Sequence, residues 1–167
     1  MALQNIEKLA TMTDPLKQFM FSMVITEMKG GKINAENFEL QCQSYTFPGT
    51  EMSSTNVALG GWTRQDAALQ NRAADWSTTV VETWDATIYD EFEAWQNIAH
   101  DVEAGTISSA TEYKTSASVS IVNGQMTPVK TRTLKQLYPR VVGAATYSPT
   151  GPDAVTIPVT WHYDFWK

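Results

Sequence analysis

Residues 154–166 read AVTIPVTWHYDFW, and apolar and polar residues alternate along most of this stretch. A period of two is typical of a β-strand with one buried face and one exposed face. The predicted buried face consists of Val155, Ile157, Val159, Trp161, Tyr163 and Phe165. Pro158 lacks a backbone N–H, so it must lie at an edge or a bulge of the sheet. The stretch therefore predicts a long closing strand.

Residues 38–45, FELQCQSY, show the same alternation and also predict a strand. Phe38, Leu40 and Cys42 share the face that we expect to be buried. Cys42 is the single cysteine of the chain. It excludes an intramolecular disulfide, fits a reducing compartment and is predicted to act as a small buried hydrophobe.

Further strand-like stretches flank one central helical pattern. They are residues 18–26, 76–83, 112–122, 128–139 and 141–148, with the hairpin dipeptide Asn123-Gly124 between the third and the fourth. Many strands with one helix predict a mainly β fold. We expect a β-sandwich or partly open β-barrel of long antiparallel strands, with one amphipathic α-helix packed against it.

The helix is predicted over residues 86–101, within DATIYDEFEAWQNIAHD, and Asp85 or Thr87 can cap it. An apolar stripe at helical spacing predicts the face that packs on the sheet: Ile88, Phe92, Trp95 and Ala99. The opposite face is acidic and includes Asp90, Glu91 and Glu93. An acidic helix face is usually solvated surface, and that is the default interpretation.

Residues 53–75, SSTNVALGGWTRQDAALQNRAAD, do not fit a self-sufficient domain. They form two strand-like arms around Gly60-Gly61 and are much longer than an ordinary connection of about 4–6 residues. Their large apolar residues are Val57, Leu59, Trp62 and Leu69. Long polar strands expose edges that invite pairing with other chains, so this segment needs a partner.

Length and composition limit the class of protein. The 167 residues predict a single domain, 1–167, that begins with an N-terminal arm at residues 1–15. The net charge of −6 disfavours a protein that binds nucleic acid by neutralising phosphates. The sequence contains no run of 18 apolar residues, so no membrane span is predicted, and the N-terminus lacks the apolar region of a secretory signal.

Motifs for chemistry are weak. His162 and Asp164 share a strand face, but no nucleophile motif accompanies them, so a small hydrolase is a poor alternative. Trp62, Trp84 and Trp166 lie outside the predicted core and leave a monomeric carbohydrate-binding β-sandwich as a distant alternative. We predict no enzyme activity, no catalytic or cofactor-binding residue, and no metal site.

Seven segments in order carry a resemblance over residues 16–167. They are PLKQFMFSMVI, FELQCQSYTFPG, the arm ending in DWSTTV, FEAWQNIA, EYKTSASV, LYPRVVG and VTIPVTWHYDFW. In this order the chain resembles the tail tube protein of contractile-tailed bacteriophages. That family shares its fold with the tube proteins of type VI secretion and other contractile injection systems.

The resemblance implies subunits that join edge to edge into hexameric rings, which stack into a hollow tube inside a contractile sheath. The implied partners are the tail sheath protein, the tape-measure protein inside the lumen, and the baseplate and tail terminator proteins. DNA would pass through without specific binding. The implied location is the phage virion, assembled in the cytoplasm of the host bacterium. A baseplate tube-initiator, or the inner tube of a secretion or extracellular injection system, is the alternative.

The resemblance also implies roles for two surfaces. Residues 53–75 would be a hairpin that reaches neighbouring subunits, with Val57, Leu59, Trp62 and Leu69 at the contact. The acidic helix face, Asp90, Glu91 and Glu93, is the candidate contact with the sheath.

Overall fold

The computed structural model describes residues 20–71, 74–145 and 153–167, so the predicted N-terminal arm lies outside these ranges. Most of the described chain forms strands. They are β1 Phe21–Ile25, β2 Cys42–Tyr45, β3 Glu51–Leu59, β4 Trp62–Asn71, β5 Ala74–Val81, β6 His100–Asp101, β7 Thr106–Ile107, β8 Thr115–Val122, β9 Pro128–Val142, β10 Thr156–Tyr163 and β11 Phe165–Trp166. The helices are α1 Ala35–Gln41, α2 Thr87–Ala99 and α3 Ala110–Tyr113.

One antiparallel sheet organises the fold, with the strand order β1-β8-β9-β10-β5-β2 and with β11 paired to β9. Its two edge strands meet through side chains, because the rings of Phe21 and Tyr45 lie edge to face with centroids 4.9 Å apart. The Tyr45 hydroxyl also donates a hydrogen bond to the carbonyl of Ser120 on β8, at 2.9 Å. No backbone ladder joins β1 to β2 among the described strands. The predicted mainly β fold with one main helix on an antiparallel sheet is confirmed, and the sheet remains open.

An aromatic cluster fills the centre of the fold. Trp161 on β10 is fully buried, and its ring centroid lies 5.5–5.9 Å from those of Phe38, Trp76, Phe92 and Trp95. Its indole N–H donates to the Thr78 hydroxyl at 2.9 Å, so the polar atom of this buried ring is satisfied. The alternation of the closing stretch therefore describes a real buried face, from Ile157 to Tyr163.

The closing strand differs from the prediction at Phe165 and at Pro158. Phe165 is 40% exposed, because the alternation of apolar and polar residues continues beyond the buried core. Pro158 lies in a strand with neighbours on both sides, opposite Thr79 of β5. It stands one residue beyond the last pair between β10 and β9, Val159 with Val142. Its missing N–H is therefore tolerated at the local end of a ladder rather than at the edge of the sheet.

Helix α2 packs its predicted apolar stripe onto the sheet. Ile88, Phe92 and Trp95 are fully buried, and Ala99 in the last turn is half-buried. Neither of the two predicted residues caps the helix. The carboxylate of Glu82 instead accepts hydrogen bonds from the backbone N–H groups of Ile88 and Tyr89, at 3.1 and 3.0 Å. A negative charge at a helix N-terminus is also favoured by the helix dipole.

The prediction of one strand over residues 38–45 is wrong in its first half. Residues Ala35–Gln41 form α1, and only Cys42–Tyr45 form a strand. Phe38 and Cys42 are buried, whereas Leu40 is 86% exposed. A spacing of four satisfies both a strand and a helix, so the pair Phe38 and Cys42 cannot distinguish them. Leu40 misled the interpretation because it is an apolar residue on the solvent face.

The turn predicted at Asn123-Gly124 joins β8 to β9, but it spans residues 123–127. The Asn123 side chain accepts from the N–H groups of Gln125 and Thr127, both at 2.9 Å, which closes the loop. The strand after it runs to Val142 without a break, so the predicted separate strands 128–139 and 141–148 are one strand up to that residue. Residues 146–148 lie outside the described ranges.

Candidate assembly surface

Strands β3 and β4 form a two-stranded hairpin that pairs with no other described strand. The ladder runs from Glu51 opposite Asn71 to Leu59 opposite Trp62. Gly60 and Gly61 turn the chain with φ angles of +54° and +89°, which favour glycine. At about 3.4 Å per residue, the nine residues of β3 extend about 30 Å from the sheet. The predicted long hairpin around Gly60-Gly61 therefore exists as a separate element.

Most described side chains of the hairpin are exposed to solvent. Trp62 and Leu69 are each 83% exposed, Val57 is half-buried, and the side chain of Leu59 lies outside the described part. Val57 stands opposite Arg64, and Trp62 lies two residues before Arg64, so these three share one face. The other face carries small and polar residues together with Met52, which is 61% exposed. An isolated two-stranded hairpin is only marginally stable, so the hairpin lacks a core of its own.

The base of the hairpin is anchored firmly to β5. Before the hairpin, the Thr46 carbonyl accepts a hydrogen bond from the Trp76 indole at 2.8 Å, and the Thr46 N–H donates to Ser77 at 3.0 Å. A cavity of about 350 Å³ lies at this base, lined by residues 46–51 together with Ala74, Asp75 and Tyr163. The hairpin thus projects from a fixed support.

Helix α2 does not present all three predicted acidic residues to solvent. Asp90 and Glu93 are exposed, but Glu91 is fully buried. One of its carboxylate oxygens accepts from the backbone N–H groups of Lys32 and Ile33, at 2.5 and 3.1 Å. A Cβ at Gly30 would lie 2.2 Å from the Glu91 carbonyl oxygen, so only glycine fits there. Glu91 therefore fixes the loop before α1 and is removed from the candidate sheath contact.

His162 and Asp164 belong to an ionic network on the sheet surface. Asp75 accepts hydrogen bonds from Arg140 and, at 3.1 Å, from Nδ1 of His162. The Nε2 of His162 lies 3.8 Å from Asp164, which Lys114 contacts at 3.0 Å. The hydrogen bond with His162, and secondarily those with Arg140, hold the pKa of Asp75 below its usual value. The network ties β5, β9 and β10 together.

Sequence reasoning missed Asp75 and Arg140 in this network. The cross-strand pair His162 opposite Asp75 could have indicated it, but only with the strand register known. Within the described residues, no hydroxyl or thiol is hydrogen-bonded to His162, as a catalytic triad would require. Burial raises the pKa of the Cys42 thiol to about 11, so Cys42 is a poor nucleophile at neutral pH.

No group of three or more His, Cys, Asp or Glu side chains among the described residues can hold a metal ion. No helix in the described part is long and apolar enough to cross a membrane.

An open antiparallel sheet with one buried helix and a projecting hairpin defines the class of fold. No protein-family model matches the sequence, and no curated protein matches it. The fold recurs in a cryo-EM structure of an extracellular contractile injection system, the PVC sheath/tube terminator in the extended state. There the TM-score is 0.66 at 13% identity, with 94% of this chain and 98% of that chain covered.

Two further structures support the same assignment of fold. The PVC sheath-tube complex in the extended state gives a TM-score of 0.60 at 13% identity, covering 96% of this chain and 95% of the other. The 6-fold symmetrised baseplate of the anti-feeding prophage gives 0.66 at 13% identity, covering 93% and 96%. The chain therefore has a fold found in contractile tail structures, as the resemblance implies.

Proposed function

We propose that this chain is the structural subunit of the inner tail tube of a contractile phage, in which hexameric rings stack into a hollow conduit for DNA. The observation that carries the proposal is the hairpin β3–β4, which projects about 30 Å and has no partner among the described strands. A soluble protein covers or uses such edges. On a fold that recurs in contractile tails, a neighbouring subunit is the natural partner.

The proposed contact on the hairpin is the set named from the sequence: Val57, Leu59, Trp62 and Leu69. Trp62 and Leu69 are exposed, so a neighbouring subunit can bury them without any change in the subunit's own core. Burial of each such side chain contributes about 1.5–3 kcal/mol. In the proposed tube this contribution is repeated at every subunit.

The remaining partners follow from the same role. The sheath protein would contact the outside of the tube through Asp90 and Glu93, the tape-measure protein would fill the lumen during assembly, and baseplate and tail terminator proteins would close the ends. DNA would pass without specific binding. Binding of the DNA phosphates is disfavoured by the net charge of −6 per subunit, which gives 6 × −6 = −36 for a ring of six. Assembly would occur in the host cytoplasm and the product would be part of the virion.

Electron microscopy of the purified full chain, over a range of concentrations, tests the proposal. Long hollow tubes with six-fold symmetry are expected for an elongating tube subunit. Single six-fold rings that do not stack would favour a tube terminator or a baseplate initiator, since the fold recurs in a terminator structure and in a baseplate structure. A protein that stays monomeric at every concentration would contradict both.

A further inference from the structure

An arginine contacts two aromatic rings at the end of the sheet near β11. The Cζ of Arg132 on β9 lies 4.0 Å from the ring centroid of Trp166 and 4.9 Å from that of Phe47. The Nζ of Lys130, on the same face of β9, lies 6.0 Å from the Phe47 ring. Three separate elements build this arrangement: β9, β11 and the loop after β2. We call Phe47, Arg132 and Trp166 the arginine clamp.

The position of the clamp is fixed by the backbone. Trp166 pairs with Leu134 in the ladder of β11 with β9. The next residue, Lys167, exchanges two backbone hydrogen bonds with Thr133, at 2.9 and 3.0 Å. The guanidinium carries five N–H donors in a rigid planar fork, and its contacts with the two rings leave these donors available to an acceptor.

Arg132 is half-buried, and its guanidinium makes no hydrogen bond or ion pair with a described residue. Other cations of the described chain do find carboxylates: Lys29, Arg64, Lys114 and Arg140. The described cations without such a partner are Lys130, Arg132 and Lys135 on β9, Lys167 directly after β11, and Lys32 in the loop before α1. A partly desolvated guanidinium without an acceptor favours an anion that arrives from outside.

We propose that the arginine clamp binds a carboxylate side chain of a second copy of this chain, an inference that rests on the proposed function. The chain carries 18 acidic against 12 basic residues, so carboxylates are abundant on any neighbouring copy. A planar, oriented guanidinium matches a carboxylate with two parallel hydrogen bonds. Lys130 beside it adds a second positive charge. The clamp is a basic site on an acidic chain, which suits a contact between unlike surfaces of two copies.

Nucleic acid fits the clamp less well than a carboxylate. Proteins that bind single strands stack bases on aromatic rings, whereas here the guanidinium occupies one face of each ring. The net charge of −6 also repels a polyanion. A contact between unlike surfaces instead propagates from copy to copy, and it closes into a ring when the rotation between neighbours permits.

Charge reversal on β9 tests the clamp in the full chain. Arg132→Glu is compared with Lys135→Glu, the same change of charge on the opposite face of the same strand. Sedimentation velocity measures the concentration needed for assembly, and circular dichroism measures the melting temperature. Arg132→Glu should raise the required concentration about tenfold or more, because it opposes like charges in a contact. Lys135→Glu should change it by less than about twofold.

Arg132→Lys separates a fold defect from a lost contact, since it keeps the charge but not the planar pair of donors. An intermediate loss of assembly with an unchanged melting temperature supports the clamp. If either Arg132→Lys or Arg132→Glu assembles at the wild-type concentration, the clamp proposal is overturned. Equal losses of assembly in Arg132→Glu and Lys135→Glu would also overturn it. Loss of binding to a single-stranded oligonucleotide with normal assembly would show a nucleic-acid site instead. A wild-type protein that never assembles contradicts the proposed function itself, so the two failures are distinguishable.

Discussion

Trp62→Ser should prevent tube growth and leave the subunit folded. The side chain is 83% exposed in the subunit, so its removal takes away almost no packing. Substitutions at such surface positions usually change the free energy of unfolding by less than about 0.5 kcal/mol. In the proposed tube the same side chain is buried by a neighbouring subunit. Its loss then costs the contact about 1.5–3 kcal/mol.

The magnitude translates into a measurable concentration. A tenfold change in an equilibrium constant corresponds to about 1.4 kcal/mol, so the concentration needed for assembly should rise roughly 10–150-fold. Gln65→Ser is the matched control, because Gln65 is exposed on the opposite face of the same hairpin. Trp95→Ala is the core control, since loss of this fully buried ring should cost about 3–5 kcal/mol of folding stability.

The assays are thermal melting by circular dichroism for the fold and electron microscopy of a concentration series for the tubes. Two results would contradict the prediction for Trp62→Ser. A Trp62→Ser protein that melts far below wild type would place Trp62 in the subunit's own core. A Trp62→Ser protein that forms long tubes at the wild-type concentration would show that this face of the hairpin is not part of the contact between subunits.

Four further outcomes are expected. Glu91→Ala should lower the free energy of unfolding in urea by about 1–3 kcal/mol, because two backbone N–H groups lose their buried acceptor, whereas Glu93→Ala should change it by less than about 0.5 kcal/mol. The lowered pKa of Asp75 means that its ionic network stabilises the fold above the unfolded pKa of about 3.9, and this contribution is lost as pH falls through the lower folded value. Acid unfolding curves of Asp75→Asn should therefore be flatter below about pH 4 than those of wild type. Asp90→Lys combined with Glu93→Lys should leave tubes intact and weaken sheath assembly, and normal sheath on such tubes would show that this face is only solvated surface. Amide hydrogen exchange should be fast along β3 and β4 in the subunit and slow in the tube, while exchange in β10 stays slow in both.

The closing strand and α2 could be predicted because each has a period that only one structure satisfies. Trp161 and its alternate neighbours face the core as a period of two requires, and Phe92 and Trp95 do so on a helical stripe. Residues 35–41 could not be assigned in the same way. Their deciding residue, Leu40, is apolar but faces solvent, and the burial of Phe38 depends on aromatic partners far away in sequence.

The candidate surfaces were predictable only in part. Polar composition and length identified the hairpin, because both are local properties of residues 53–75. Glu91 looked like a surface acid by its place on the helix, and its true role depends on the N–H groups of a loop 58–59 residues earlier. The arginine clamp likewise joins Phe47, Arg132 and Trp166 across most of the chain. Contacts of this kind follow from tertiary structure and leave no pattern in a local window.

The separation between core and hairpin suits the proposed role, in which one chain is both a stable subunit and a unit of a polymer. The aromatic cluster around Trp161 completes its packing within the subunit, so folding does not depend on a neighbour. The hairpin has two open edges, yet its polar residues and the exposed Arg64–Asp66 ion pair discourage indiscriminate strand pairing. In the proposed tube, recognition between subunits would depend on the few apolar side chains of the hairpin, chiefly Trp62. Because those side chains contribute little to the fold, substitutions there can tune assembly without loss of the subunit.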